Sequence, residues 1–249
     1  MVVEHFTYMR GLSRRQMAVA SVALVVVVAL GWYFTARQAD GMDGMAGTMG
    51  LGLGAFLLMW LPMVVAMMFP AVVASATTAV RALPARTAVF LVVYLAVWMV
   101  FGLVTYLVLA GAERVLSIPP DGQKWLAAGI YLLAGVYQFV PAKDRCRELC
   151  QSPRQAAQYG DVVRTAAQHG LTCIGCCAGF MVVLIAVGMA NLVAMALLTV
   201  VIFVERFFYP RTVSRVAGVL FLVAAVLTPF VSWLHPGLPG PDTGDAPMM

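Results

Sequence analysis

Charge is what this sequence has least of. Only 11% of its 249 residues are Asp, Glu, Lys or Arg, while 62% are hydrophobic. A soluble domain carries charge on about a quarter of its residues. So little charge cannot cover a water-facing globule, which leaves a polytopic membrane protein as the class that fits. Histidine is nearly absent too: His5, His169 and His235 are all there are, and all three are expected outside the bilayer core. This excludes a bis-histidine haem between spans. The sequence also lacks a phosphate loop, a serine nucleophile with a histidine partner and an HExxH zinc motif. No hydrolytic site can be assembled from it, so a non-enzymatic role is favoured. The net charge of +5 is spread around the apolar runs and forms no basic stripe with interleaved aromatics. A nucleic-acid partner is thereby excluded. No signal-peptide cleavage site follows the first apolar run, which is expected to stay as an anchor helix.

What is present is a series of apolar runs. Seven spans can be drawn, over 17–36, 51–74, 88–112, 125–141, 171–188, 189–204 and 213–234. Most approach the roughly 20 residues that cross the hydrocarbon core. The fifth and sixth spans, which meet at 188 and 189, imply a tight hairpin through Gly188 and Asn191. With seven spans the Lys and Arg residues divide thirteen against three, with Arg37, Arg114 and Lys124 in the minority. The positive-inside rule then places the N-terminus in the cytoplasm and the C-terminus outside. The expected fold is all-α: a cytoplasmic N-terminus (1–16), a transmembrane bundle (17–234) with a cytoplasmic loop over 142–170, and an outer disordered tail (235–249). An amphipathic helix at 153–168, lying near the surface, is expected within that loop. No internal repeat is evident.

The five cysteines form two clusters, Cys146 with Cys150, and Cys173 with Cys176 and Cys177. On a helix, the spacing i, i+4 puts Cys146 and Cys150 on one face. His169, Cys173, Cys176 and Cys177 also share a face if their helix extends back to His169. The second cluster is expected to open the fifth span at its cytoplasmic mouth. Structural disulfides are rare on that reducing side, so clustered thiols there point to a soft metal or to redox work. Lys143, Arg145 and Arg147 are the cations expected to offset thiolate charge.

Methionine is abundant, with sixteen. Met42, Met45 and Met49 lie in a glycine-rich outer loop, where exposed thioethers would fill no core. Met59, Met63 and Met67 follow at i, i+4 and i+8, a stripe about 80° wide that runs from about 12 to 24 Å down the second span. Met68 points away from it. Thioethers stay neutral in lipid and prefer Cu(I) to harder ions; equally, methionine fills irregular gaps in a bundle. Glu205, at the inner end of the sixth span, reads as a charge that snorkels to the interface.

Three segments resemble a known family. They are Met59-Trp60-Leu61-Pro62-Met63-Val64-Val65-Ala66-Met67-Met68-Phe69-Pro70, then Gly135-Val136-Tyr137-Gln138 through Cys146 and Cys150, then Cys173 to Gly179 with Gly188-Met189 and Glu205-Arg206. In this order, over roughly residues 50 to 210, they are similar to bacterial integral membrane proteins described as predicted metal-binding. The resemblance implies a helical inner-membrane protein binding a metal through its Cys-rich and Met-rich motifs. The chain departs from the family pattern at Asp144, Gln151 and Arg206, where lysine, arginine and lysine are usual.

Three functions follow. The first is Cu(I) handling or transport: Met42, Met45 and Met49 capture the ion, Met59, Met63 and Met67 pass it inward, and Cys146, Cys150, Cys173, Cys176 and Cys177 with His169 receive it. The second is a structural Zn²⁺ site in a subunit or anchor of a larger membrane complex. The third is an iron–sulfur or thiol redox protein. The expected partners are the lipid bilayer, a metal ion and other membrane-complex subunits.

Overall fold

The computed structural model describes residues 14–40, 47–80, 84–115, 120–151, 156, 158–208 and 210–231. Within them the chain is helical, with no strand. The helices are α1 (Arg14–Ala39), α2 (Leu53–Ala79), α3 (Pro84–Val115), α4 (Pro120–Tyr137), α5 (Pro141–Gln151), α6 (Tyr159–Val187), α7 (Leu192–Phe207) and α8 (Pro210–Leu227), followed by a 3₁₀ turn at Thr228–Phe230. Four of them begin at a proline, whose fixed φ suits the first helical position and whose missing N–H costs nothing there. α6 begins with a capping box between Gln158 and Asp161. α7 is capped by Asn191, whose side chain accepts from the Ala194 amide at 2.9 Å.

α1, α2, α3, α6 and α8 are long and apolar enough to cross a membrane. α4 and α5 together qualify as a sixth span, bent by 64° at the break between them. Against the seven spans expected, the described residues hold five helices that meet this measure of length and composition, or six spans with the broken pair. The remaining candidate, α7, has 16 residues. That is about 24 Å of helix against a core of about 30 Å, too short by this measure. The polar segment 142–170 is helical over most of its described residues. Its first part is α5. Its last part belongs to α6, which runs unbroken for 29 residues because the capping box starts it about four turns before Cys173. Cys173, Cys176 and Cys177 thus sit at mid-helix and not at a helix start. The N-terminal segment before residue 14, the tail 235–249, His5, His235 and most of the expected 153–158 helix start lie outside the described residues.

α2 and α6 are the inner helices, with 61% and 56% of their apolar windows buried, against 17–22% in α1, α3 and α8. The outer three expose apolar side chains such as Val25, Leu107 and Val219, a surface compatible with contact to lipid. α3 runs parallel to α6: Arg86 lies over the Tyr159 ring, and Phe90 and Tyr94 pack on His169. α4 and α5 run antiparallel to α6 along its length. Tyr131 and Val183 share one cluster near one end, and Cys150 reaches His169 toward the other. Two glycines permit these approaches. A Cβ on Gly175 would lie 2.7 Å from Cys146 Sγ, and one on Gly218 would lie 2.7 Å from the Phe139 ring.

Candidate metal centre

α5 is strongly polar, yet Lys143, Arg147 and Cys150 on one of its faces are buried. That face meets α6 and brings Cys150 to Cys173 and Cys176. The three Sγ atoms lie within 4.8 Å of one another, and all three residues are buried. A metal with sulfur bonds of about 2.3 Å holds its sulfurs about 3.8 to 4 Å apart, so small side-chain movements close the set around one ion. Cys177 Sγ is 3.6 Å from Cys176 Sγ. All five cysteines are free thiols.

These sulfurs line a chamber with about 20 Å³ of free space. A single water needs about 10–15 Å³ on this measure, so the chamber has room for one occupant of about that size. α2 contributes Met68, Ala71 and Val72 to its wall, and α7 contributes Ile202, Glu205 and Arg206. Arg206 is the cation at the thiols. Its Nη1 donates to Cys150 Sγ at 2.6 Å, and its Nη2 donates to Cys150 O at 2.6 Å and Ser75 Oγ at 2.5 Å. Gln151, one of the departures from the resembled pattern, donates from Nε2 to Arg206 O at 3.0 Å. The Tyr94 hydroxyl is 3.2 Å from Cys173 Sγ. His169 lines the chamber with Nε2 at 3.9 Å from Cys150 Sγ. Its Nδ1 is buried with no hydrogen-bond partner among the described residues. His169 is buried in the protein, because α6 extends through it.

A second polar cluster adjoins the chamber. Lys143 Nζ, fully buried, pairs with Glu205 Oε1 at 2.6 Å. It also donates to Ser214 Oγ at 2.9 Å and to Gln138 Oε1. Arg147 pairs with Asp144 at 2.7 Å and lies 3.9 Å from Glu205. Glu205 is therefore no snorkelling charge: it is only 5% exposed, and a lysine 62 residues earlier in the chain neutralises it. The cations expected at the thiols, Lys143 and Arg147, serve this carboxylate instead.

The other expected ligands lie elsewhere. Cys146 is half-buried, packs against Gly175 and does not line the chamber. Met59, Met63 and Met67 are buried in the main apolar core. The chamber wall takes Met68 and none of that stripe. Met42 and Met45 lie outside the described residues. Met49 was expected to be exposed; it is 7% exposed and belongs to the core. The cause is a clasp: the Thr48 amide and hydroxyl both donate to the Glu113 carboxylate, at 2.5 and 2.8 Å, and fold residues 47–50 onto the bundle.

Sequence reasoning missed Arg206, Tyr94 and Met68 as neighbours of the thiols. One signal pointed to Arg206. Cys173 lies fifteen residues before Gly188, and Arg206 lies fifteen after Asn191. A hairpin hinged there returns one to the level of the other.

The model of a family described as the PpoB2 copper chaperones matches residues 57–228. The match covers well over half of the chain. The chain belongs to the PpoB2 copper chaperone family. The matched segment holds all five cysteines, His169 and the methionine stripe, and begins after Met42, Met45 and Met49. No curated protein and no solved structure matches the chain. Family and buried cysteine cluster together point to the handling of a soft metal, in keeping with copper.

Proposed function

We propose that this is a copper-handling membrane protein whose cargo, a single Cu(I) ion, is held by Cys150, Cys173 and Cys176. The carrying observation is the buried triad of sulfurs within 4.8 Å of one another. Thiolates select soft Cu(I), and the neighbouring Arg206 guanidinium offsets the negative charge that three thiolates and a monovalent ion leave behind. His169 and Cys177 stand ready as further donors, and Met68 supplies a thioether at the wall. In this reading Met59, Met63 and Met67 form the inward track from the outer loop, ending beside Met68. The excess of Lys and Arg at the chamber end of the bundle supports a cytoplasmic-facing chamber in a bacterial inner membrane, with the N-terminus inside.

A second reading has support of its own. Three thiolates and one imidazole are also a donor set for structural Zn²⁺. Elemental analysis of anaerobically purified protein separates the two. About one copper per chain, lost in Cys173→Ser, is expected. Stoichiometric zinc that survives copper exposure would overturn the copper reading.

A further inference from the structure

The chamber has one polar wall, and a second cavity lies behind it. Met68, Ala71, Val72, Phe180 and Ile202 close the apolar sides. The remaining side is made by Glu205 and Arg147, backed by Lys143. Beyond it is a cleft of about 110 Å³ lined by Gln138, Phe139, Asp144, Arg211, Ser214 and Arg215. Two links cross the wall. Lys143 Nζ joins Glu205 on the chamber side to Gln138 and Ser214 on the cleft side. Arg147 lines the chamber and pairs with Asp144 of the cleft. The wall coincides with the break between α4 and α5, where Ser214 Oγ donates to Gln138 O at 3.1 Å. Gln138 Nε2 is buried there without a hydrogen-bond partner among the described residues. Discontinuous spans hold ion sites of this kind in membrane transporters, because irregular backbone is tolerated at depth only where it lines a cavity.

Charge indicates what passes. Across cleft and wall, the four cations Lys143, Arg147, Arg211 and Arg215 face three carboxylates, Asp144, Glu205 and the exposed Glu148 that lies 3.8 Å from Arg211, which leaves the balance positive. A bare monovalent cation would be repelled, whereas an anionic ligand is drawn in. Resting on the reading of the triad as a Cu(I) site, we propose that the Gln138–Ser214 cleft is the exchange port of the chamber. A small anionic thiol ligand of Cu(I) enters it to deliver or withdraw the ion, and the Lys143–Glu205 pair is its inner gate. The ligand exchanges thiolate for thiolate at copper, so no electron moves and no oxidant is needed.

The test uses thiol access and so does not depend on copper. Metal-free protein in detergent is labelled with methanethiosulfonates bearing either a sulfonate or a trimethylammonium group, and each cysteine is followed by mass spectrometry. Cys150, Cys173 and Cys176 are expected to react about tenfold faster with the sulfonate. Ser214→Leu, which fills the neck, should slow their labelling at least tenfold, with Cys146 unchanged as the internal reference. Arg211→Gln with Arg215→Gln should abolish the charge preference. Ser214→Val serves if the leucine variant fails to fold. A parallel arm measures withdrawal of bound copper by bathocuproine disulfonate, which should slow in the same variants and stay unchanged in Leu107→Ala, on the outer face of α3. Unaltered thiol access in folded Ser214 variants, or a faster reaction with the cationic reagent, would overturn the port. Wild-type protein that binds no copper would instead sink the copper reading and leave the access result standing.

Discussion

Met63 and Cys173 are both almost fully buried, at 1% and 6% exposure, yet their sulfurs are in different situations. Met63 belongs with Met59 and Met67 to the apolar core on α2. Cys173 lies beside two other thiols and a tyrosine hydroxyl, and its neighbour Cys150 accepts directly from the Arg206 guanidinium. Sulfur surrounded by hydrocarbon is explained by packing alone. Sulfur surrounded by groups that carry charge or donate hydrogen bonds is costly to bury, and such a site persists where a ligand makes use of it. Under the proposed function, retention of metal falls to the chamber and passage, at most, to the stripe.

The sharpest way to break this comparison is to remove the sulfurs one at a time. Cys150→Ser, Cys173→Ser and Cys176→Ser should each lower copper content in anaerobically purified protein about tenfold or more, because two remaining ligands make a weak open site. Cys146→Ser should leave it unchanged. Equal losses from Cys146→Ser would show that the set extends past the chamber.

Next in size is the ion pair behind the wall. Lys143→Leu strands Glu205 without its partner, and should cost about 3–5 kcal/mol, read as a fall in unfolding temperature in detergent. Adding Glu205→Leu should recover most of that loss. A double variant as unstable as the single would mean that the pair contributes more than mutual neutralisation.

Arg206→Gln removes the charge at Cys150 while keeping a donor. Hydrogen bonds to charged groups are worth about 1.5–3 kcal/mol, so a Cu(I) affinity about tenfold weaker is expected in competition with a chelator. Arg206→Lys should restore most of it, as the family's usual lysine suggests. An unchanged affinity in Arg206→Gln would show that the thiols are not balanced by this cation.

The smallest effect belongs to the stripe. Leucine at Met59, Met63 and Met67 conserves volume, at a cost below about 1.5 kcal/mol for each, and the purified protein should keep its full copper content. Copper uptake by cells is the separate measurement: a fall there, with content intact, marks the stripe as a track, and no fall marks it as core.

Much of this was readable along the chain because it depends on local chemistry. Apolar runs long enough for a bilayer, prolines at helix starts and the i, i+3 spacing of Cys173 and Cys176 are properties of a single segment. The segment 142–170 was misread for the same reason. A helix with Lys, Arg and Glu on it scores as water-facing when judged by its own residues, and only a carboxylate on another helix makes its burial tolerable.

The sequence by itself determined that the protein is built of helices, several of them long and apolar enough to cross a membrane, with its thiols in two short clusters, since composition and periodicity follow from the order of residues alone. The tertiary structure decided which thiols meet and which cation stands beside them. It set Cys150 with Cys173 and Cys176, left Cys146 against Gly175, gave Arg206 to sulfur and Lys143 to Glu205. Those pairings depend on how α5 lies along α6 and how α7 returns beside it. Packing of distant helices sets these distances, and no spacing within one helix encodes them.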